Sequence, residues 1–432
     1  MKISGVEWFG EIPENWDILR IGQLYENRNN KVNDTDWQPL SVTKNGIVPQ
    51  LDSAAKTSAN DDRKQVLVGD FVINSRSDRK QSCGLSQYNG SVSLINLVIH
   101  SKHESGILPE YTAYIMNNYG FAEEFYRWGS GIVADLWSTR WDLMKRIFIP
   151  VPPETEQIKI STYLDKICQK IDRLIALQEE MIAELQAYKQ SVITEAVTKG
   201  IEPEVPMIDT GNKTIVQIPK GWSISRLKYN MKFNPSNERQ FADNSLVSYA
   251  PMECVGRGVL NCRDIEYGKV KSGYTFFSDG DIILAKVTPC FENGNIAIAD
   301  NLIEGVGYGS SELFVLRATK LETRWLFYYL HNSVFKENAK ATMMGTGGLK
   351  RVSPQFITSH HFAYPSRNVQ FLTVQFLDKK CKSIDHMIST KQLKIDTLKE
   401  YKKSLIYECV TGKRDCGTRG EEKDAGYTGK AV

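Results

Sequence analysis

Three groups of residues have types that could do chemistry, yet each lacks a member that the chemistry needs. Asn234-Pro235-Ser236-Asn237 lacks the second proline and the aromatic of the Asn/Asp-Pro-Pro-aromatic motif of amino-methyltransferases, which favours a turn. Asp281 and Lys286 match part of a nuclease carboxylate–lysine cluster, but Leu284 stands where an acid would complete the metal site. A positioning or phosphate-contact role is therefore favoured for Lys286. His360-His361 lacks the helical spacing of a zinc pair.

The common catalytic loops are also missing from the sequence. It has no GxxxxGK[ST] loop for ATP phosphates, no GxGxxG after a strand and no GxSxG nucleophile turn. We therefore predict a chain that is non-catalytic on its own and holds no metal or cofactor.

The elements that would position any site occur twice. Ile12-Pro13-Glu14-Asn15-Trp16 returns as Ile218-Pro219-Lys220-Gly221-Trp222, and YLDKICQKIDRLI from Tyr163 returns as FLDKKCKSIDHMI from Phe376. The spacing is far longer than the ~20–50 residues of a solenoid repeat. The pattern predicts a duplicated unit, each copy a mixed α/β domain followed by a helix.

Composition indicates a soluble globular protein. Hydrophobic residues make up 41% and charged residues 24% of the 432 residues, and the formal charge is +3. No apolar run reaches the ~18 residues of a membrane span. The N-terminus lacks the apolar core of a secretion signal, and the eight cysteines form no CxxC pair. A cytoplasmic location is the expectation.

Each copy ends in a predicted long helix with an apolar seam in steps of four and three, typical of a coiled coil. The first seam runs through Ile160, Leu164, Ile167, Ile171, Leu174, Gln178, Met181, Leu185, Tyr188 and Val192. The second runs through Thr373, Leu377, Lys380, Ile384, Met387, Lys391, Lys394, Leu398, Tyr401 and Leu405. We predict that Leu164, Ile171, Leu185, Leu377, Ile384 and Leu398 pair the helices.

The predicted organisation has six segments. They are a first mixed domain (1–150), a first long helix (151–200), a linker (201–217), a second mixed domain (218–364), a second long helix (365–411) and a disordered tail (412–432). Residues 154–199 carry six Lys/Arg and eight Asp/Glu, whereas 367–408 carry nine and five. This opposite charge is either electrostatic help in pairing the helices or two solvated faces.

On these motifs the chain resembles the DNA-specificity subunit of type I restriction–modification enzymes, over about 410 residues. The segments most similar to target-recognition domains are Gly280 to Gly294, Thr346 to Pro354 and Gly131 to Pro153, with Leu136-Trp137-Ser138-Thr139-Arg140-Trp141 in the last.

The resemblance implies a definite architecture and mechanism. The fold would be α+β, with two homologous mixed α/β target-recognition domains joined by two long antiparallel coiled-coil helices about a pseudo-twofold axis. Each domain would read one half of a bipartite, asymmetric site in double-stranded DNA, and the helices would set the spacing. Two methyltransferase subunits would bring S-adenosylmethionine for adenine methylation, and motor–nuclease subunits would bring ATP and Mg.

Candidate DNA contacts follow from chemistry, because cations bind phosphates whereas Arg, Lys and Asn favour base edges. Candidate phosphate binders are Lys44, Arg63, Lys64, Arg127, Arg140, Lys350 and Arg351. Candidate base readers are Ser75, Arg76, Ser77, Asp78, Arg79 and Lys80 in the first domain, and Lys286, Thr288, Glu292 and Asn293 in the second. Ser130 and Thr346 lie in glycine-flanked turns that could approach the DNA backbone.

Each candidate has an ordinary alternative: a solvated surface charge, a polar hairpin tip or a plain turn. Two other functions also remain open. The chain could be the specificity subunit of a related system with a fused nuclease–methyltransferase partner, or a coiled-coil scaffold with no DNA role.

Overall fold

A computed structural model describes residues 1–50, 62–132, 137–211, 215–346 and 348–417. The chain divides into two compact units. The first unit comprises Met1–Gln178 and Leu393–Val432, and the second comprises Glu179–Gln392. Leu136, Gly347 and most of the predicted tail lie outside the described residues.

The first unit contains short antiparallel sheets. Its strands are β1 (Lys2–Ile3), β2 (Glu11–Ile12), β3 (Asp17–Arg20), β4 (Tyr25–Asn27), β5 (Lys31–Val32), β6 (Leu40–Thr43), β7 (Gly46–Pro49), β8 (Arg63–Val66), β9 (Phe71–Asn74), β10 (Cys83–Leu85), β11 (Gly90–Ser93), β12 (Asn96–Ser101) and β13 (Phe148–Val151). The central sheet has the order β10-β9-β12-β4, and β11-β8-β5 forms a second sheet. Strands β1–β2, β3–β13 and β6–β7 pair separately.

The second unit repeats this frame with a larger second sheet. Its strands are β14 (Met207–Asp209), β15 (Gln217–Pro219), β16 (Ser223–Arg226), β17 (Met231–Phe233), β18 (Leu246–Ala250), β19 (Arg263–Glu266), β20 (Thr275–Ser278), β21 (Ile282–Ala285), β22 (Ile296–Ile298), β23 (Val306–Gly309), β24 (Leu313–Ala318) and β25 (His361–Tyr364). The central sheet β22-β21-β24-β17 has the same connectivity as its counterpart in the first unit. The other sheet, β19-β18-β23-β20, includes the parallel pair β18–β23.

Short helices cover the sheets, and two long helices each contribute to both units. The helices are α1 (Ile21–Leu24), α2 (Pro109–Ile115), α3 (Tyr119–Arg127), α4 (Trp141–Met144), α5 (Glu154–Lys199), α6 (Thr323–His331), α7 (Ser333–Ala341), α8 (Pro354–Ser359) and α9 (Arg367–Val410). Helix α5 has 46 residues and α9 has 44. The α+β class predicted from the sequence is confirmed.

The same capping residue starts the second covering helix of each unit. Asn118 and Asn332 are the N-caps of α3 and α7, and their side-chain oxygens accept from the backbone N–H of Phe121 and Phe335. Such a cap satisfies a donor that the helix itself leaves unpaired. Helix α5 in turn ends before Gly200, whose φ of +88° gives the left-handed C-terminal stop.

Aromatic side chains form much of the core of the first unit. Tyr111, Phe121 and Phe125 are fully buried, and they pack with Trp16 from the repeated entry segment. Helices α5 and α9 reach this core through side chains including Leu164, Ile171, Leu405 and Val410. Each such aliphatic side chain stabilises the fold by ~1.5–3 kcal/mol on burial.

Matching contacts build the second core. Trp325, Phe335 and Phe362 are fully buried there, with Leu377 of α9 and Val197 of α5. Each long helix therefore has one end in each hydrophobic core.

Part of the predicted helix seam is wrong. Leu164, Ile171, Leu377 and Ile384 are buried, and Leu185 and Leu398 are half-buried, as a seam requires. The alternate positions are displaced by one residue, since Leu174, Met181, Tyr188 and Met387 are exposed whereas Ile175, Ile182, Ile388 and Ile395 face inward. Apolar side chains at neighbouring positions made the two phases indistinguishable from sequence at Leu174–Ile175, Met181–Ile182 and Met387–Ile388.

Polar contacts between the two long helices recur in matched form within each unit. Lys402 pairs with Asp172 at 2.6 Å in the first unit, and Lys189 pairs with Asp385 at 2.7 Å in the second. In the second unit Lys391 also lies 3.0 Å from Met181, so the helices run antiparallel there. Each helix supplies one lysine and one aspartate to these two pairs. The pairs therefore do not depend on the opposite net charges of the helices.

In each unit a tyrosine–aspartate hydrogen bond ties one covering helix, α2 or α6, to a long helix. The Tyr114 hydroxyl donates to Asp165 at 2.5 Å, and the Tyr328 hydroxyl donates to Asp378 at 2.6 Å. Both aspartates belong to the repeated Leu-Asp segment. The repeated sequence thus encodes the junction between domain and helix.

A buried aspartate anchors each central sheet. Asp70 and Asp281 directly precede β9 and β21, and each accepts a backbone N–H from its own turn. Asp70 pairs with Arg28 at 2.7 Å, and Asp281 pairs with Arg317 at 2.7 Å. Arg28 directly follows β4, whereas Arg317 lies on β24, so the two units keep the buried acid but pair it with arginines from different places.

We predict that Asp281→Asn lowers the free energy of unfolding by about 3 kcal/mol, because it leaves Arg317 without its buried counter-charge. Urea denaturation followed by tryptophan fluorescence measures this. Asp243→Asn is the matched control, because its ion pair with Lys271 is exposed and should contribute less than ~1 kcal/mol. Equal losses in the two variants would contradict the anchoring role.

Candidate nucleic-acid interface

The loop that follows β9 carries the predicted base readers of the first unit. Asn74 ends the strand, and its side-chain oxygen accepts the Arg76 backbone N–H at 3.0 Å. The Tyr126 hydroxyl of α3 donates to the Asn74 carbonyl, also at 3.0 Å. Residues Ser77–Arg79 form a turn of 3-10 helix. Arg79 and Lys80 are exposed, and Ser75 is buried.

A second segment is joined to this loop through main-chain groups. The Thr139 N–H donates to the Ser75 carbonyl at 3.0 Å, and Ser138 forms bridges with both Arg76 and Ser130. The Thr139 hydroxyl donates to the Phe125 carbonyl at 2.7 Å, which holds the segment against α3. The structure therefore brings the predicted residues Arg76 and Ser130 together, and Arg140 directly follows the junction.

The loop after β21 is built in the same way in the second unit. The Thr288 N–H donates to the Lys350 carbonyl at 2.9 Å, and the Thr288 hydroxyl accepts the Lys350 N–H at 2.9 Å. The same hydroxyl donates to the Gly348 carbonyl at 2.7 Å. Arg351 forms bridges with Val287 and Met344. Two sequence-distant motifs thus form one surface containing Lys286, Thr288, Thr346, Lys350 and Arg351.

Both units therefore use one arrangement, which we call the laced loop. In the first unit main-chain bonds tie the loop after β9 (75–80) to the later segment 138–140. In the second unit they tie the loop after β21 (286–294) to the later segment 348–352. The side chains it presents differ between the units. This combination of a repeated frame and unlike side chains suits two different reading surfaces.

Several predicted cations are already paired with carboxylates. Lys80 lies 3.0 Å from Glu123, Arg127 lies 2.7 Å from Glu7 and 2.6 Å from Glu124, and Arg351 lies 2.9 Å from Glu312. The hydrogen bond to Glu7 raises the pKa of Arg127. The hydrogen bond from Arg351 lowers the pKa of Glu312. Any phosphate would compete with these acids.

Other predicted cations are free of such pairing. Within the described residues no ion-pair partner is found for Lys44, Arg76, Arg79, Arg140 or Lys350. Lys44 is exposed in the turn of the β6–β7 hairpin, and Arg140 is exposed at the start of α4. Lys286 donates instead to the Ser311 carbonyl at 2.6 Å and lies over the Phe314 ring.

The prediction that Arg63 and Lys64 contact phosphates is wrong. Both are buried on β8, at 7% and 8% exposure. Arg63 donates to the Ser91 hydroxyl at 2.8 Å, and Lys64 donates to the Asn96 carbonyl at 2.7 Å. Burial lowers the pKa of both groups. Both charged groups therefore form hydrogen bonds between strands. Their spacing in the sequence alone did not reveal this.

Two grooves include residues that sequence reasoning missed. A 640 Å³ groove in the first unit is lined by Trp8, Tyr119, Tyr126 and Trp137, with Lys80 and Arg127 at its edge. A 1060 Å³ groove in the second unit adds Arg257 and Lys336 beside the predicted residues Glu292 and Asn293. The lining residues come from separate elements, so no local motif marked them.

Two classes of feature are absent from the described part of the chain. None of its helices combines the length and apolarity that crossing a bilayer demands. Among the same residues, no three His, Cys, Asp or Glu side chains gather as a metal site.

Comparison with known proteins finds specificity subunits. No protein-family model matches the chain. The chain is 28% identical over 232 residues to the type I restriction enzyme EcoEI specificity subunit of Escherichia coli, covering 52% of this chain and 39% of that protein. It is 30% identical over 191 residues to the EcoAI specificity subunit of the same species, covering 43% and 32%. The chain thus spans less than two thirds of these relatives.

A third relative and two solved structures are also similar to this chain. The MjaVIII specificity subunit of Methanocaldococcus jannaschii is 23% identical over 280 residues, 63% of each chain. A chain from a structure of the type I restriction–modification system matches 93% of this chain and 98% of its own length, with a TM-score of 0.69 and 15% identity. The HsdS subunit from Thermoanaerobacter tengcongensis matches 95% and 100%, with a TM-score of 0.51 and 16% identity. The fold is that of these structures, and the sequence is similar to type I restriction enzyme specificity subunits.

Proposed function

We propose that the chain is the DNA-specificity subunit of a type I restriction–modification complex. Each unit reads one half of a bipartite, asymmetric site in double-stranded DNA. The similarity to EcoEI and EcoAI specificity subunits supports this role. The observation that carries it is the laced loop, which recurs in both units with different exposed side chains.

The division of labour within each reading surface follows from its chemistry. Phosphate contacts fix position, and base-edge contacts carry sequence. In the first unit Lys44 and Arg140 bind phosphates, and Arg76 and Arg79 read bases. Lys80 and Arg127 reach DNA only by leaving their carboxylate partners. Their contribution to binding therefore depends on how closely the DNA fits this surface.

In the second unit Lys350 binds phosphate, and Thr288 and Asn293 read bases. Lys286 and Arg351 flank them. Thr346 lies in the turn that approaches the DNA backbone. The Arg351–Glu312 pair at 2.9 Å holds the guanidinium in a fixed orientation, because a bidentate ion pair restrains the plane of the group.

Partner subunits supply the chemistry. Two methyltransferase subunits dock on the long helices and use S-adenosylmethionine, and motor–nuclease subunits use ATP and Mg. Apolar side chains on α5 and α9 support docking there because they are exposed to solvent in this chain, among them Leu174, Leu177, Met181, Phe371 and Leu393. The chain acts in the cytoplasm and is non-catalytic alone.

Two alternatives remain distinguishable. A fused nuclease–methyltransferase partner would appear as a single large co-purifying polypeptide. A scaffold without a DNA role would show no salt-dependent DNA affinity. The laced loops favour the reading role over the scaffold.

The decisive experiment co-expresses the chain with its methyltransferase and maps methylated adenines across a genome. We expect one bipartite motif with two unlike halves. A single continuous motif, or methylation by the purified chain alone, would overturn the proposal.

We predict that Arg76→Ala with Arg79→Ala relaxes the methylated motif in one half only. Each lost bidentate base contact removes ~1–3 kcal/mol of discrimination. Asn293→Ala should relax only the other half. The untouched half is the internal control in each case, and relaxation of both halves by either variant would contradict independent reading.

The long helices set the gap between the halves under this proposal. Deleting seven residues from α5, Glu180–Gln186, together with the matching Leu393–Lys399 of α9 keeps the seven-residue repeat. We predict a gap shorter by about three base pairs, because seven helical residues span ~10 Å and each base pair ~3.4 Å.

Motif mapping of the double deletion measures the gap, and each single deletion serves as a control for mismatched helices. Both half-site sequences should persist in the double deletion. An unchanged gap would show that the long helices do not set the spacing between the two half-sites.

A further inference from the structure

The 1060 Å³ groove of the second unit lies between the mixed domain and the long helices. Its walls are α5, α6, α7 and α9, with the segments 257–260 and 292–294. The second segment ends the laced loop that carries Asn293. The groove therefore borders the surface that reads bases in the proposed function.

Three cations gather at this border, and among the described residues a single ion pair, with Glu292, involves any of them. The Arg257 guanidinium donates to the Asn293 carbonyl at 2.6 Å, which ties it to the laced loop. Lys340 lies 4.0 Å from Glu292. For the half-buried Lys336 ammonium, the described residues supply neither a hydrogen bond nor an ion pair. Burial lowers the pKa of Lys336, and the Arg257 and Lys340 charges lower it further.

The other charged groups of the groove do not relieve this crowding. Lys189 pairs with Asp385 at 2.7 Å, and Arg324 pairs with Asp378 at 2.6 Å. Asp300 also lines the groove, and no ion pair joins it to the three cations. Burial lowers the pKa of His331 to about 4, so it is neutral near pH 7. Three like charges beside a single carboxylate are stabilised by an added anion.

The matching helix of the first unit, as far as the structure describes it, lacks the two lysines of this cluster. Helices α3 and α7 both have nine residues and begin after matched asparagine caps. In this register Ala122 stands where α7 has Lys336, and Tyr126 stands where it has Lys340. The cations therefore belong to one reading surface and are not required by the shared frame.

We propose that Arg257, Lys336 and Lys340 form a phosphate clamp, which holds the sugar–phosphate backbone of duplex DNA beside the half-site read by the second unit. The clamp rests on the proposed function and adds to it. Arg257 links the clamp to Asn293, so a hydrogen bond ties phosphate binding to the base-reading loop. The clamp positions DNA and carries no sequence preference of its own.

The test uses the full-length chain in complex with its methyltransferase and a duplex containing the mapped site. Lys336→Gln should weaken binding about tenfold, the loss expected for one charged hydrogen bond. The slope of log affinity against log salt should become shallower by about one. The methylated motif should stay the same. Lys336→Arg should retain affinity and slope, which separates charge from folding.

Lys232→Gln is the matched control, because this lysine is exposed on β17 outside the groove. It should leave affinity and slope unchanged. A Lys336→Gln complex with wild-type affinity and slope would overturn the clamp, and so would a relaxed motif, since that indicates base reading.

Two further outcomes distinguish the clamp from a small-ligand site and from a failure of DNA recognition. Tight binding of ATP or pyrophosphate that Lys336→Gln abolishes, with an unchanged DNA salt slope, would overturn the clamp in favour of a small phosphate ligand. Absence of sequence-specific binding by the wild-type complex would instead overturn the proposed function itself.

Discussion

The burial of both long helices in each hydrophobic core is the constraint on which the rest of each unit depends. Leu164 and Val410 enter one core, and Val197 and Leu377 enter the other. The Tyr–Asp and Lys–Asp bonds then fix how a mixed domain meets its helices. Because exposed ion pairs contribute little, apolar burial supplies the stability and the polar bonds supply the orientation.

The repeated parts of the fold were predictable because repetition reveals the frame. Both Leu-Asp repeats fall on long helices, and each helix follows a mixed domain, as the duplication predicted. The seam failed where the sequence offered two apolar neighbours, such as Leu174 and Ile175. Choosing between them depends on which side of the helix packs inward, and that is a tertiary fact.

The candidate site was predictable only in outline. Residues after β9 and β21 were identifiable as strand-end loops, and the structure joins them to later segments. The burial of Arg63 and Lys64 was not predictable, because their partners Ser91 and Asn96 lie on two other strands, β11 and β12. The crowding of Lys336 with Arg257 was equally hidden, since these cations are brought together by separate elements.

The laced loop has a consequence for how such a chain can diversify. Its ties run mainly through peptide N–H and C=O groups, which almost every residue type provides. Exposed side chains such as Arg79 and Lys350 can therefore be exchanged without rebuilding the loop. Under the proposed function, a duplicated gene with this property can alter one half of its target by local mutation or recombination, while the other half is inherited intact.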